Sequence, residues 1–356
     1  MVLGTMPPRL FRPPDPLRGA TSTPLADWLR RACPGFRGRW RFVAPVLVGA
    51  LGLAGCEAPM TSLRPQPRPD NLKPVEVYTP SPESQALALF YGRLEQDLQT
   101  RGLLRVDGGA VDTPYDAEDL SEAFQALAFY DEYGDASASG TGRLARWTGP
   151  VVMQAVFGPS VSAEQRIKDK ALLSAYATRL SRLTGHRITT GARGNFTVLF
   201  AGLDDADFVR ARVQRLLPNM SEADLALFAT PPRQFYCLVT AGGPAADPLR
   251  YSRGVALIRA EQPPLMREAC IHEELAQGLG LRNDSQRARP SIFNDDDEFA
   301  RLTSHDEKLL AMLYDARLNP GMSIEEALPL IPTLAAEQMG LTPDPDAGAS
   351  PASPAF

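Results

Sequence analysis

The stretch that most limits what this chain can fold into runs from Cys270 to Asp284, CIHEELAQGLGLRND. Its apolar residues recur at helical spacing, with Leu275, Ala276 and Leu279 on one face, and Gly280 sits where a helix would stop. A helix over Cys270–Leu281 is therefore expected, and its apolar stripe needs a core to face.

The surrounding chain offers that core. Phe196–Phe200 (FTVLF), Phe235–Thr240 (FYCLVT) and Tyr251–Ala260 (YSRGVALIRA) read as strands, and Trp147–Phe157 reads as one more, interrupted by Gly149-Pro150. Helical spacing marks Ser84–Gly102, Ala117–Tyr133, Ser162–Leu183, Asp204–Leu217 and Ser221–Ala229, with Ser162 as an N-cap. This order predicts a single α+β domain over residues 84–335, a small mixed sheet packed on the Cys270–Leu281 helix with extra N-terminal helices. Residues 56–83 form a Pro-rich spacer and 336–356 a Pro, Ala, Ser and Asp tail.

Residues 1–55 read as a leader. Arg37-Gly-Arg-Trp-Arg41 is a basic n-region, Phe42–Leu53 a short apolar run, and Leu53-Ala-Gly-Cys56 resembles the bacterial lipobox. The run is too short for an ordinary membrane-spanning helix. Residues before Arg37 read as lying upstream of the true start. Lipidation at Cys56 predicts a membrane anchor without a transmembrane span, facing the periplasm. Glu57, where a retention aspartate would direct the inner membrane, favours the outer one. Cleavage leaves 29 of the 37 basic and 40 of the 42 acidic residues, a net of −11, which argues against nucleic acid as a partner.

The register H-E-x-x-H-x-x-G-x-x-H of a metalloprotease active-site helix can be laid on the same stretch. Glu273 then takes the first His position, Glu274 the general base, Gln277 the second His, Gly280 the glycine and Asn283 the third His. Starting at His272 instead puts Ala276, which cannot ligate, at the second position, and makes His272 a packed residue. The strand–helix–strand order resembles the upper half of a metzincin-like zincin, in which the strand before the signature helix is the sheet edge that takes an extended peptide. Leu302-Thr-Ser-His-Asp306 and Leu310-Ala-Met-Leu-Tyr314 resemble the metzincin stretch that opens the last helix.

Three longer blocks carry a closer resemblance: CIHEELAQGLGLRNDS, Pro290-Ser-Ile-Phe-Asn294, and LLAMLYDARLNPGM from Leu309 to Met322. Over about Trp147–Ala327 the chain is similar to domain-of-unknown-function family 2927, a group of proteobacterial lipoproteins. That resemblance implies a cell-envelope compartment and no particular reaction.

In that compartment Cys237 and Cys270, the two thiols left after processing, suggest a disulfide, with two buried free thiols as the alternative. The chain has three histidines, His186, His272 and His305, whose spacing fits no zinc pattern. No nucleophile elbow, Walker loop or dinucleotide fingerprint is present. His272, Glu273, Gln277, Asn283 and Asp284 are the candidate cleft residues, with Glu274 as the hypothetical catalytic base. Their oxygens suit Ca²⁺, Mg²⁺ or Mn²⁺ rather than zinc, and they equally suit a metal-free hydrogen-bonded network. The expected function is a non-catalytic metallopeptidase-like site binding a peptide or envelope protein. The alternative is a hydrolase with Glu274 as base and a hard cation.

Overall fold

The computed structural model describes residues 2–5, 78–109, 111–130 and 142–342. Cys56, the rest of the expected leader, most of the spacer and the tail beyond 342 lie outside the described residues. All described residues belong to one unit, Met1–Leu10 together with Val77–Phe356.

In chain order the elements are β1 (Val2–Thr5), α1 (Pro82–Thr100), α2 (Ala117–Phe129), β2 (Arg146–Trp147), β3 (Val151–Phe157), α3 (Ala163–Thr184), β4 (Ile188–Thr190) and β5 (Phe196–Ala201). After a short 3₁₀ turn come α4 (Ala206–Leu216), α5 (Glu222–Ala229), β6 (Cys237–Gly242), β7 (Arg250–Tyr251), β8 (Arg253–Arg259) and α6 (Pro264–Gln277). The described part closes with α7 (Ser304–Leu313), α8 (Ile324–Ala327) and α9 (Ile331–Gln338).

Six strands form one mixed sheet in the order β1-β6-β8-β5-β3-β4. β4, β3, β5 and β8 run parallel, β6 is antiparallel to β8, and β1 is antiparallel to β6. The interior strand β5 is buried at every residue, which explains a sequence that is apolar except at Thr197: a parallel strand covered on both faces has no solvent side. Helices α4 and α5 cover one face through Val209, Val213, Leu225 and Phe228 against Leu199, Leu238 and Leu257. The other face, with Val198, Val239, Ala256 and Ile258, belongs to the main core with Ile271 and Leu275 of α6 and Tyr176 of α3. Helix α3 begins where expected, with Ser162 Oγ accepting the Gln165 N–H, and stops at Gly185 in the left-handed region.

The α+β class, the mixed sheet and the break at Gly149-Pro150 follow the sequence reading; the bounds of the signature helix, the place of β8 and the existence of β4 do not. The signature helix begins at Pro264 rather than Cys270 and ends at Gln277, because Pro263-Pro264 is a favourable helix entry and not a loop. β8, the strand before that helix, is not the sheet edge: β5 and β6 flank it. Trp147–Phe157 splits at Gly149-Pro150 into β2 and β3, with β2 pairing β7 outside the main sheet. The short strand β4 goes unannounced, since only Ile188 of its three residues is buried. Cys237 opens β6 and bridges to Cys270 in the middle of α6, with Cα atoms 5.8 Å apart. Among the described residues no helix is long and apolar enough to cross a membrane.

Candidate functional site

Helix α6 is central to the molecule, and every residue from Cys270 to Gln277 is buried. Four of these, His272, Glu273, Glu274 and Gln277, are polar, and groups so placed need internal partners. The partners decide what the site can do.

His272 packs against α3 and the segment before α7. Its Nδ1 accepts the Leu302 backbone N–H at 3.0 Å, which leaves the proton on Nε2, 3.9 Å from Glu268 Oε1. Its ring stacks on Tyr176 at 4.1 Å, and the Tyr176 hydroxyl donates to the His272 carbonyl at 2.7 Å. Burial, helped by the Arg179 and Arg301 charges, pushes its pKa down to about 3. A neutral imidazole whose free lone pair already holds a loop is a packing residue.

The helix leaves through a tight turn. Gly278 cannot carry a side chain, since a Cβ there would lie 2.5 Å from Phe196 Cζ. Its carbonyl accepts the Trp147 indole N–H at 2.9 Å. Gly280 has φ 133°, and a Cβ there would lie 2.3 Å from the Ala145 carbonyl oxygen. Beyond the turn the chain closes the C-terminus of α2. The Arg282 N–H donates to the Leu127 carbonyl at 2.8 Å, and Asn283 Nδ2 donates to the Ala126 carbonyl at 3.0 Å. Both carbonyls are in the last turn of α2, where intrahelical donors run out. Asn283, the sequence candidate for a third ligand, is thus a helix cap. Gln277 Nε2 donates to Asp284 Oδ1 at 3.2 Å, which ties the helix end to the segment after the turn.

Glu273 and Gln277, one turn apart, each open on a cavity beside β6. Glu273 shares one of about 20 Å³, room for about one water molecule, with Leu104, Tyr236, Met266, Ile292, Asn294, Asp297 and Phe299. Gln277 shares the other with Val239, Thr240, Ala241, Tyr251 and Arg282. Glu274, the base candidate, is 1 % exposed and lines neither.

The wall opposite α6 is a loop whose role the sequence did not disclose. Asp306, fully buried in the first turn of α7, accepts Ser291 Oγ at 2.5 Å, the Ile292 N–H at 3.1 Å and the Thr303 N–H at 2.9 Å. It thereby fixes Ile292 against the cavity. Across the mouth, the Leu104 and Arg105 N–H groups donate to the Asp297 and Glu298 carbonyls, each at 2.8 Å. The Arg105 guanidinium joins Asp107, Asp112 and Glu298. The one available signal for Asn294 and Asp297 was their place in and beside the Pro290–Asn294 block.

Zinc, which the metalloprotease register would imply, does not fit these donors. His272 serves α3 and the 302 loop, Asn283 serves α2, and Gln277 and Glu273 open on separate cavities. Among the described residues no three His, Cys, Asp or Glu side chains gather as a metal-binding group. His305 is buried in α7, and the His186 ring nitrogen Nε2 lies 2.8 Å from the Gly149 carbonyl.

No curated protein and no solved structure matches the chain. One family model matches, over residues 117–333, and that span takes in the whole sheet except β1, helices α2 to α8, and both cavities' linings apart from Leu104. The chain belongs to the family described as "Protein of unknown function (DUF2927)".

Proposed function

We propose that this chain is a zincin-derived, non-catalytic binding protein of the cell envelope, anchored through a lipidated Cys56, in which a groove between β6 and α6 receives an extended peptide segment. The observation that carries it is the use made of the ligand positions: Asn283 caps α2, and Gln277 bonds Asp284. The order β3, α3, β4, β5, β6, β8, α6 supports the zincin ancestry. β6, rather than β8, supplies the outer rim, and on it Val2–Thr5 already lies antiparallel, from Val2 opposite Ala241 to Thr5 opposite Leu238. An edge that accepts the chain's own extended segment has the hydrogen-bonding pattern for a foreign one. A mature protein that begins at Cys56 lacks Val2–Thr5 and leaves that edge open.

Hydrogen exchange tests the reading. A pool of β-branched heptapeptides at saturating concentration should slow amide exchange within Cys237–Gly242. Protection confined to β4, the opposite edge, or absent from the whole sheet would overturn it.

A further inference from the structure

We propose that β6 is the contact between two copies of this chain, so that the extended segment received on the open edge of the mature protein is β6 of a second copy. The inference rests on the groove reading above and names the partner.

The two edges of the sheet are guarded unequally. β4 closes one side with three residues, of which Thr189 and Thr190 are exposed, and the exposed Arg187 and Arg193 flank it. Short length and nearby charge are devices that keep an edge from pairing with another chain. β6 has neither: Cys237–Gly242, CLVTAG, is six residues long and holds no charge and no proline. In a mature protein that begins at Cys56 these residues form the other edge of the sheet. The strand is also in place before any partner arrives. All six of its residues pair with residues 253–258 of β8, and Cys237 is bridged to Cys270 of α6, so little chain ordering opposes a second strand.

The edge is competent for an antiparallel partner, since Val2–Thr5 lies on residues 238–241 in that sense. Opposed residues of an antiparallel pair point their N–H and C=O groups alike, both toward the partner or both away, and the two kinds alternate along the strand. Two copies of one strand can therefore meet only with some residue opposite itself. In β6 that residue is Val239 or Thr240, the two at its middle, and either register pairs five of the six residues. The contact is two-fold symmetric, so it satisfies both open edges at once and goes no further. It joins the two sheets into one, with the α6 side of each copy on the same face. Chains anchored through Cys56 to one membrane are confined near each other, which raises the effective concentration that a short ladder needs.

The test uses protein expressed from the full sequence, processed at Cys56 and purified in detergent. Sedimentation gives its mass, and amide exchange is read within Cys237–Gly242 at two concentrations. A dimer should form, and exchange in β6 should slow about threefold or more between about 1 µM and about 100 µM, as mass action requires of a contact with a micromolar dissociation constant. The opposite edge, β4, should exchange at the same rate in both samples. A dimer whose β6 exchange ignores concentration, or that slows β4 instead, uses another surface and overturns the inference. A monomer at both concentrations, with β6 protected by the heptapeptide pool, overturns the dimer and leaves the groove standing. A monomer whose β6 the pool leaves unprotected overturns both.

Discussion

His272 offers the sharpest test of the packing, because its burial makes folding proton-linked. The folded-state pKa is pushed down to about 3, first by desolvation and then by the Arg179 and Arg301 charges. An unfolded chain protonates the same ring near pH 6.5. Between those values the unfolded state carries one more proton, so stability rises with pH across the window. The contribution is complete above about pH 6.5 and declines as the solution is acidified. The slope is about 1.4 kcal/mol per pH unit, which makes the loss from pH 7 to pH 5 about 2 kcal/mol. His272→Asn keeps an acceptor near the Nδ1 position for the Leu302 N–H while removing the titrating group. It also forfeits the stack on Tyr176, so the variant starts less stable at every pH. Urea unfolding at pH 7, 6 and 5 should therefore show a wild-type stability that falls by about 2 kcal/mol more than the variant's. Parallel slopes would refute the reasoning, because they would mean that His272 takes up its proton in the folded protein as easily as outside it.

Reducing agent should lower the melting temperature of the wild type and leave a Cys237→Ala/Cys270→Ala variant unchanged; for a loop of 33 residues the bridge is worth about 4 kcal/mol. Asn283→Ala should cost about 1 kcal/mol in urea unfolding by exposing the Ala126 carbonyl, without altering any thermal response to Ca²⁺, Mg²⁺ or Mn²⁺. Gly278→Ala, which drives a Cβ to 2.5 Å from Phe196 Cζ beside the Trp147 ring, should destabilise by about 1–3 kcal/mol in the same assay.

The sheet and most helices were legible because their signals are local. FTVLF is apolar at four of its five positions, and Ser162 and Ser221 announce the helices that follow them. Elements whose signals are short or ambiguous were lost: β4 has three residues, and Pro263-Pro264 suits a loop as well as a helix entry. The site was legible as a set of positions and illegible as a set of roles. Asn283 reads as a ligand only until α2, 157 residues away, supplies a carbonyl for its amide. His272 likewise acquires its meaning from Leu302 and Tyr176, neither of which any periodicity connects to it. Asp306 was visible as a helix-start residue, yet its hold on Ser291 and Ile292 depends on how the intervening loop returns. The cavity wall from Leu104 and Asp297 joins segments from opposite ends of the domain by backbone hydrogen bonds, which side-chain patterns do not encode.

The central claim is that the signature helix keeps the outline of a zinc site while its side chains serve the fold and the groove. Metal analysis of the purified protein after exhaustive dialysis, paired with a peptide-hydrolysis assay of wild type and Glu274→Gln, addresses it most directly. The account predicts zinc well below one ion per chain and no hydrolysis that depends on Glu274. Zinc retained at one ion per chain, with peptide hydrolysis abolished by Glu274→Gln, would contradict it.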